Sequence, residues 1–175
     1  AREGLRSLKD NVDCLIVIDN EKIKRIYGSQ TISAAFAKAN DVLNIAAKGI
    51  AEVITLPGYI NVDFADVKTV MTNSGVAIMG AAQASGEDRA RRAITEALDS
   101  PLLNNNDIRG AKDILLNITS GTDEVTMNEM TEITSIIIHR VGDSAAVIWG
   151  VGTDESLGSA VSVTIIATGF PKDDI

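Results

Sequence analysis

The chain has 175 residues, 45% of them apolar and only 3% aromatic, which is enough for a globular domain with an aliphatic core. Its formal net charge of −8 argues against a general nucleic-acid binder or a protein that binds anionic membranes, since both need a basic face. A lone cysteine cannot form an internal disulfide, and no signal segment or apolar run of ~18 residues is evident, so we expect a cytoplasmic protein.

The first 30 residues predict a helix followed by a strand. Leu5, Leu8 and Val12 recur at helical spacing. Residues 14–18 form a continuous apolar run, which is typical of a strand buried on both faces of a parallel sheet. Because no strand with which it could build a sheet follows nearby, we expect its partners to lie in sequence outside this chain.

Residues 31–55 give the strongest helix signal. Apolar residues recur along one stripe of this segment, at Ile32, Phe36, Ala39, Leu43, Ala46, Ile50, Val53 and Ile54. A helix of this length spans ~37 Å, which suits a spine joining two units. Gly49 costs roughly 1 kcal/mol inside a helix, so it predicts close packing against a neighbouring element.

A loop rich in acids follows the long helix. A Pro-Gly pair ends that helix, and residues 61–66 then read NVDFAD. Asp63 is expected to be the N-cap of a new helix, with Asp66 at its third position, and the positive end of the helix dipole favours their charged forms. Two interpretations stay open: the acids only cap a solvated turn, or with Asn61 they organise a water for hydrolysis.

The remainder predicts an α/β domain. A short helix begins at residue 64, and a second helix begins near residue 85. A third covers residues 128–141, and strands are expected at residues 76–85, 114–119, 145–149 and 161–168. Residues 154–158 are expected to form a hairpin-like turn. This order predicts a four-stranded mixed sheet carrying helices.

Polar residues inside the long helix form a second candidate site. Asn40 and Asp41 are poor helix formers. Asp41 can simply pair with Lys38, three residues earlier. Alternatively, Asn40 and Asp41 bind the polar edge of a base-like ring, with Asn20 beside them after the first strand, where ligands of α/β sheets bind.

The chain resembles the FtsZ family of cell-division GTPases, which are relatives of tubulin. The resemblance covers nearly the whole chain and rests on segments that occur in family order, namely VDCLIVI, FAKANDVL, KGIAEVITLPG, NVDFADVKTVM, ASGEDRA, SPLL, GAKDILLNITSG and VTIIATGF. It implies a remnant of a Rossmann-like GTP-binding domain at residues 1–30, a central helix at residues 31–56 and a C-terminal domain at residues 57–175. Within that domain, residues 57–66 would form the filament-contact loop.

The resemblance also implies roles for the candidate residues. In this family one subunit binds GTP, and acids of the next subunit in the filament promote its hydrolysis. Asn61, Asp63 and Asp66 would enter the neighbour's pocket, where the two acids polarise the attacking water. Asn20, Asn40 and Asp41 would contact guanine in the subunit's own pocket, and Phe36 would stack on the base.

The family's glycine-rich phosphate loop, GGGTGTG, does not occur in this sequence, and Asp19 stands where the family usually has proline before Asn20. We therefore expect a C-terminal fragment that neither binds GTP or GDP tightly nor hydrolyses GTP alone, with Mg²⁺ accompanying the nucleotide in the full-length protein and no metal site in the chain itself.

The expected partners are other FtsZ subunits in a head-to-tail filament, the N-terminal GTPase half and division-ring proteins at mid-cell, without nucleic acid or membrane insertion. The alternative is a scaffold domain that docks partners and whose loop acids are only structural.

Overall fold

The computed structural model describes residues 2–17, 20–55, 58–60, 62–99 and 108–170. The elements within these residues are α1 Arg2–Lys9, β1 Cys14–Ile16, α2 Asn20–Tyr27, α3 Ile32–Thr55, β2 Gly58–Ile60, α4 Phe64–Met71, β3 Gly75–Ser85, α5 Arg89–Leu98, β4 Asp113–Ser120, α6 Met127–Val141, β5 Ala146–Thr153 and β6 Ala160–Thr168. The predicted order from β3 onward is confirmed, and the long helix begins within one residue of its predicted start. Helix α2 was not predicted.

The sheet is mixed and wider than predicted. Its strand order in the described residues is β1-β3-β6-β4-β5-β2. The four inner strands are the predicted ones: β4 pairs in parallel with β5 and antiparallel with β6, and β6 pairs antiparallel with β3. The three-residue strands β1 and β2 extend this sheet at its two edges. The α/β class is confirmed, and within the described residues the sheet has six strands rather than the four predicted.

Strand β1 has a partner within the chain, contrary to the prediction. It pairs in parallel with the start of β3, with Cys14 opposite Gly75 and Ile16 opposite Ala77. Its residues are half-buried rather than buried on both faces, because the strand lies at an edge of the sheet within the described residues. Ile18, the predicted end of the strand, lies outside the described residues.

The structure also corrects the predicted turn at residues 154–158 and the predicted start of α5. Residues 154–158 do not close a hairpin, because β4 lies between β5 and β6; the connection instead contains a short 3₁₀ helix, Glu155–Leu157. Helix α5 begins at Arg89, later than predicted, because Gly86 and Asp88 both have left-handed φ values, 84° and 54°, that form a turn before the helix.

Strand alternation divides the apolar residues between the two faces of the sheet. One face packs against α5 and α6, and the residues predicted to point inward from these helices are buried: Ile94, Ala97, Leu98, Met130, Ile133, Ile137 and Val141. The other face carries a smaller cluster with residues of α3, α4 and the loop between them: Val53, Val62, Val67, Val70, Ala77, Met79, Leu115 and Ile166.

Helix α3 contacts the sheet through its carboxyl-terminal half. A Cβ atom added to Gly49 would lie 2.6 Å from the Met79 Cε atom, so the predicted close packing at this glycine is confirmed. In contrast, Ile32, Phe36 and Leu43 are 77%, 67% and 60% exposed. Within the described residues, the amino-terminal part of the apolar stripe therefore lies outside the core.

Candidate functional site

The two loop acids lie at the start of α4, as the capping rules predict. Asp63 is the N-cap, and its Oδ1 atom accepts a hydrogen bond from the Ala65 backbone N–H at 3.1 Å. Asp66 occupies the third position of the helix, and its backbone N–H donates to the Asp63 carbonyl oxygen at 3.0 Å. Both side chains are exposed. Two carboxylates therefore face solvent at the amino-terminal end of α4.

Apolar residues hold this pair of acids in place. Val62 precedes the cap and is only 7% exposed, and Val67 and Val70 are buried on the inner face of α4. All three belong to the same cluster as Val53 of α3. The sequence prediction considered the polar residues of the loop and missed Val62, which joins the acids to the sheet.

The second candidate site lies on α3. Phe36, Asn40 and Asp41 are exposed, and Phe36 precedes Asn40 by one helical turn. Asp41 forms an ion pair with Lys38 at 3.6 Å, as the helical spacing predicts. Asn20 is the first residue of α2 and does not directly follow β1, which ends at Ile16.

The two groups of candidate residues are separated along α3. Asp41 precedes the end of the helix at Thr55 by 14 residues, or ~21 Å at 1.5 Å per residue. The acids follow that end, and their anchor Val62 packs in one cluster with Val53. Asn61, the third predicted member of the acid site, lies outside the described residues.

Metal ligands are not clustered in the described residues. No group of three or more histidine, cysteine, aspartate or glutamate side chains there could hold a metal ion. Within the same residues, none of the helices combines the length and apolarity that crossing a bilayer requires.

Comparison with known proteins identifies the family. The family model described as "FtsZ family, C-terminal domain" matches residues 75–171, which is more than half of the chain. The chain belongs to the FtsZ family. The predicted resemblance is thereby confirmed, together with the association with cell division that the family's members carry in their names.

Individual relatives match almost the whole chain. The cell division protein FtsZ of Pseudomonas aeruginosa is 46% identical over 97% of the chain and 43% of its own length. That of Porphyromonas gingivalis is 43% identical over 99% of the chain and 38% of its own length. A solved empty FtsZ dimer of M. jannaschii has a TM-score of 0.85 and 42% identity, covering 95% of the chain and 48% of that structure's chain. The chain thus spans about two fifths of these curated FtsZ proteins.

Proposed function

We propose that this chain forms part of a GTP-dependent FtsZ filament at the division site, and that Asp63 and Asp66 promote hydrolysis of GTP held by the neighbouring subunit. The FtsZ relatives support the role in division, and the M. jannaschii dimer supports self-association. One observation carries the catalytic part: both carboxylates are exposed while Val62, beside them, is buried. The loop therefore presents fixed negative charge to a partner.

The hydrogen bonding of the acids suits activation of a water. The cap bond of Asp63 uses Oδ1, so Oδ2 remains available to accept a hydrogen bond from water. The Asp66 carboxylate accepts no hydrogen bond within the described part of the chain. Two ionised acids in this arrangement polarise and orient an attacking water, and phosphoryl transfer depends chiefly on such positioning and electrostatics. Any Mg²⁺ would accompany the nucleotide's phosphates, which suit this cation.

We assign the other candidate residues to the subunit's own nucleotide. Asp41 would accept hydrogen bonds from the N1 and N2 donors of guanine, and Phe36 would stack on the base. Asn40 and Asn20 would contact the same ring. The exposure of Phe36, Asn40 and Asp41 supports this assignment, because a nucleotide could reach them. Residues 1–30 would then belong to the GTP-binding domain, residues 31–56 to the central helix and residues 57–175 to the C-terminal domain.

The separation of the two groups along α3 supports a site shared between subunits. In such a site the acids of one subunit meet the nucleotide of the next, so the chain alone is expected neither to bind GTP tightly nor to hydrolyse it. It is also expected to cap one end of FtsZ filaments. Purified chain that binds GTP with micromolar affinity, or that leaves the mass of sedimented FtsZ polymer unchanged at equimolar concentration, would contradict these expectations.

The cap bond of Asp63 favours a second candidate, a scaffold domain whose loop acids are only structural. Asparagine caps helices about as well as aspartate but carries no charge, so Asp63→Asn separates the two roles. The substitution is made in a joined protein, in which this chain replaces the matching segment of the P. aeruginosa FtsZ. If Asp63 is catalytic, Asp63→Asn should lower the rate of phosphate release about 100-fold, while the filaments still sediment.

A matched control for this substitution exists at the 3₁₀ helix between β5 and β6. Asp154 is also an N-cap, half-buried rather than exposed, and its Oδ1 accepts from the Ser156 backbone N–H at 3.0 Å. Asp154→Asn in the joined protein is expected to leave phosphate release unchanged. If Asp63→Asn is as active as Asp154→Asn, the scaffold function is correct and the catalytic assignment is wrong.

A further inference from the structure

Gly150 of β5 packs against Val62, the residue that anchors the acid loop. A Cβ atom added to Gly150 would lie 2.9 Å from the Val62 Cγ2 atom and 3.2 Å from the Ile60 carbonyl oxygen. It would also lie 3.5 Å from the Asn117 Oδ1 atom, which is ordinary contact. Cβ atoms essentially never approach another heavy atom within 3.0 Å, so Val62 occupies the space that a side chain at this position would need.

Position 150 requires glycine because a side chain would lack space, and not because of its backbone conformation. The glycines with left-handed φ are Gly75, Gly86, Gly110, Gly142, Gly158 and Gly169, and Gly150 is not among them. Alanine can therefore adopt the Gly150 backbone. Gly150 pairs with Asn117 of β4, and β2 pairs with β5 at the next two residues, Val151 and Gly152. The added methyl group would thus meet the chain leading into the acid loop.

We propose that Gly150 is a positioning residue for the hydrolytic acids: its missing side chain seats Val62, and Val62 fixes the adjacent Asp63. This inference rests on the proposed function of Asp63. A single peptide bond joins Val62 to Asp63, and Asp63 begins α4 through its cap bond. A displacement of Val62 by even part of an ångström therefore moves the carboxylate. Misplacing a catalytic group by about 1 Å can cost about 100-fold in rate.

The test is Gly150→Ala in the joined protein. The turnover number kcat for phosphate release is expected to fall at least about tenfold, while KM for GTP and the sedimented polymer remain unchanged. The double variant Gly150→Ala/Val62→Ala removes the 2.9 Å contact, and the methyl group at residue 150 fills the space that the shortened side chain at residue 62 leaves. Residue 62 therefore stays packed, and most of the lost kcat is expected to return. A general loss of stability cannot produce that recovery, because Val62→Ala itself removes buried apolar surface.

Two further measurements make each outcome decisive. Ile137→Val trims a fully buried residue on the opposite face of the sheet and should leave kcat unchanged. In methyl NMR spectra of this chain, Gly150→Ala should shift the Val62 resonances and leave those of Ile137 in place. An unshifted Val62, an unchanged kcat, or a double variant no faster than Gly150→Ala overturns the inference. If Asp63→Asn lowers kcat but Gly150→Ala does not, the positioning role alone fails; if neither does, the proposed function fails.

Discussion

The two faces of the sheet differ in how completely their helices are buried. On one face, the inward residues of α5 and α6 include Ala93, Ile94, Ile133 and Ile137, all with 0% exposure. On the other, the buried apolar residues of α3 and α4 in the described part of the chain, Val53, Val67 and Val70, each retain 7% exposure. The first face thus supplies most of the stability, and the second presents the acids and the exposed part of α3.

Among the substitutions that compare the two faces, replacement of Arg89 is expected to change the free energy of unfolding most. This residue is 6% exposed, and its guanidinium donates to both Glu129 carboxylate oxygens, at 2.7 and 3.2 Å. It also donates to the Asp123, Glu124 and Ser159 carbonyl oxygens at 3.0 Å. Arg89→Met removes these hydrogen bonds and should reduce the free energy of unfolding by about 3 kcal/mol in urea titration.

The neighbouring Arg91 is the matched control for this substitution. It forms an ion pair with Glu132, but its side chain is 60% exposed. Arg91→Met should therefore change stability little, because exposed ion pairs contribute little. Equal effects of the two substitutions would show that burial of Arg89 does not stabilise the helical face.

Valine truncations compare the two faces with identical chemistry. Val163 of β6 is 0% exposed on the α5–α6 face, whereas Val53 of α3 retains 7% on the other. We expect Val163→Ala to cost about 2.5 kcal/mol and Val53→Ala about 1.5 kcal/mol, since the less enclosed site can relax or admit water. Thermal and urea unfolding measure both values, and a larger cost for Val53→Ala would reverse the comparison.

Low pH should reduce the stability that Glu129 contributes to the α5–α6 face of the sheet. The Arg89 hydrogen bond is the main cause that lowers the pKa of Glu129 below its usual 4.5, and the Thr126 backbone N–H adds to it. A lowered folded-state pKa gives stability that is present above pH ~4.5 and lost as the pH falls through the folded value. Glu129→Gln, which does not titrate, should be less stable than wild type at pH 7. The difference should shrink on acidification in urea titrations from pH 7 to 2.5, and a constant difference would contradict this linkage.

Local rules predicted the elements and the caps but not the contacts between distant segments. The bounds of α3 and the capping role of Asp63 follow from residues within a few positions of each other. Arg89 stands in the polar run ASGEDRA, and its burial depends on Asp123, Glu129 and Ser159, which are 34 to 70 positions away. The packing of Val62 against Gly150 was not predicted either, because these residues are far apart in the sequence. Gly150 lies one residue beyond the strand predicted at residues 145–149. Because β5 extends to Thr153, this glycine is inside a strand, where a glycine indicates close approach of another part of the chain.

Catalysis across a subunit contact can be measured by mixing two proteins that are inactive alone. One is the joined protein with Asp63→Asn, which retains its nucleotide site; the other is this chain with its acids intact. We expect phosphate release from the mixture that rises with added chain and saturates as each nucleotide-bearing end is occupied. The chain carrying Asp63→Asn should restore nothing. A mixture no more active than its two components measured separately would contradict a site shared between subunits.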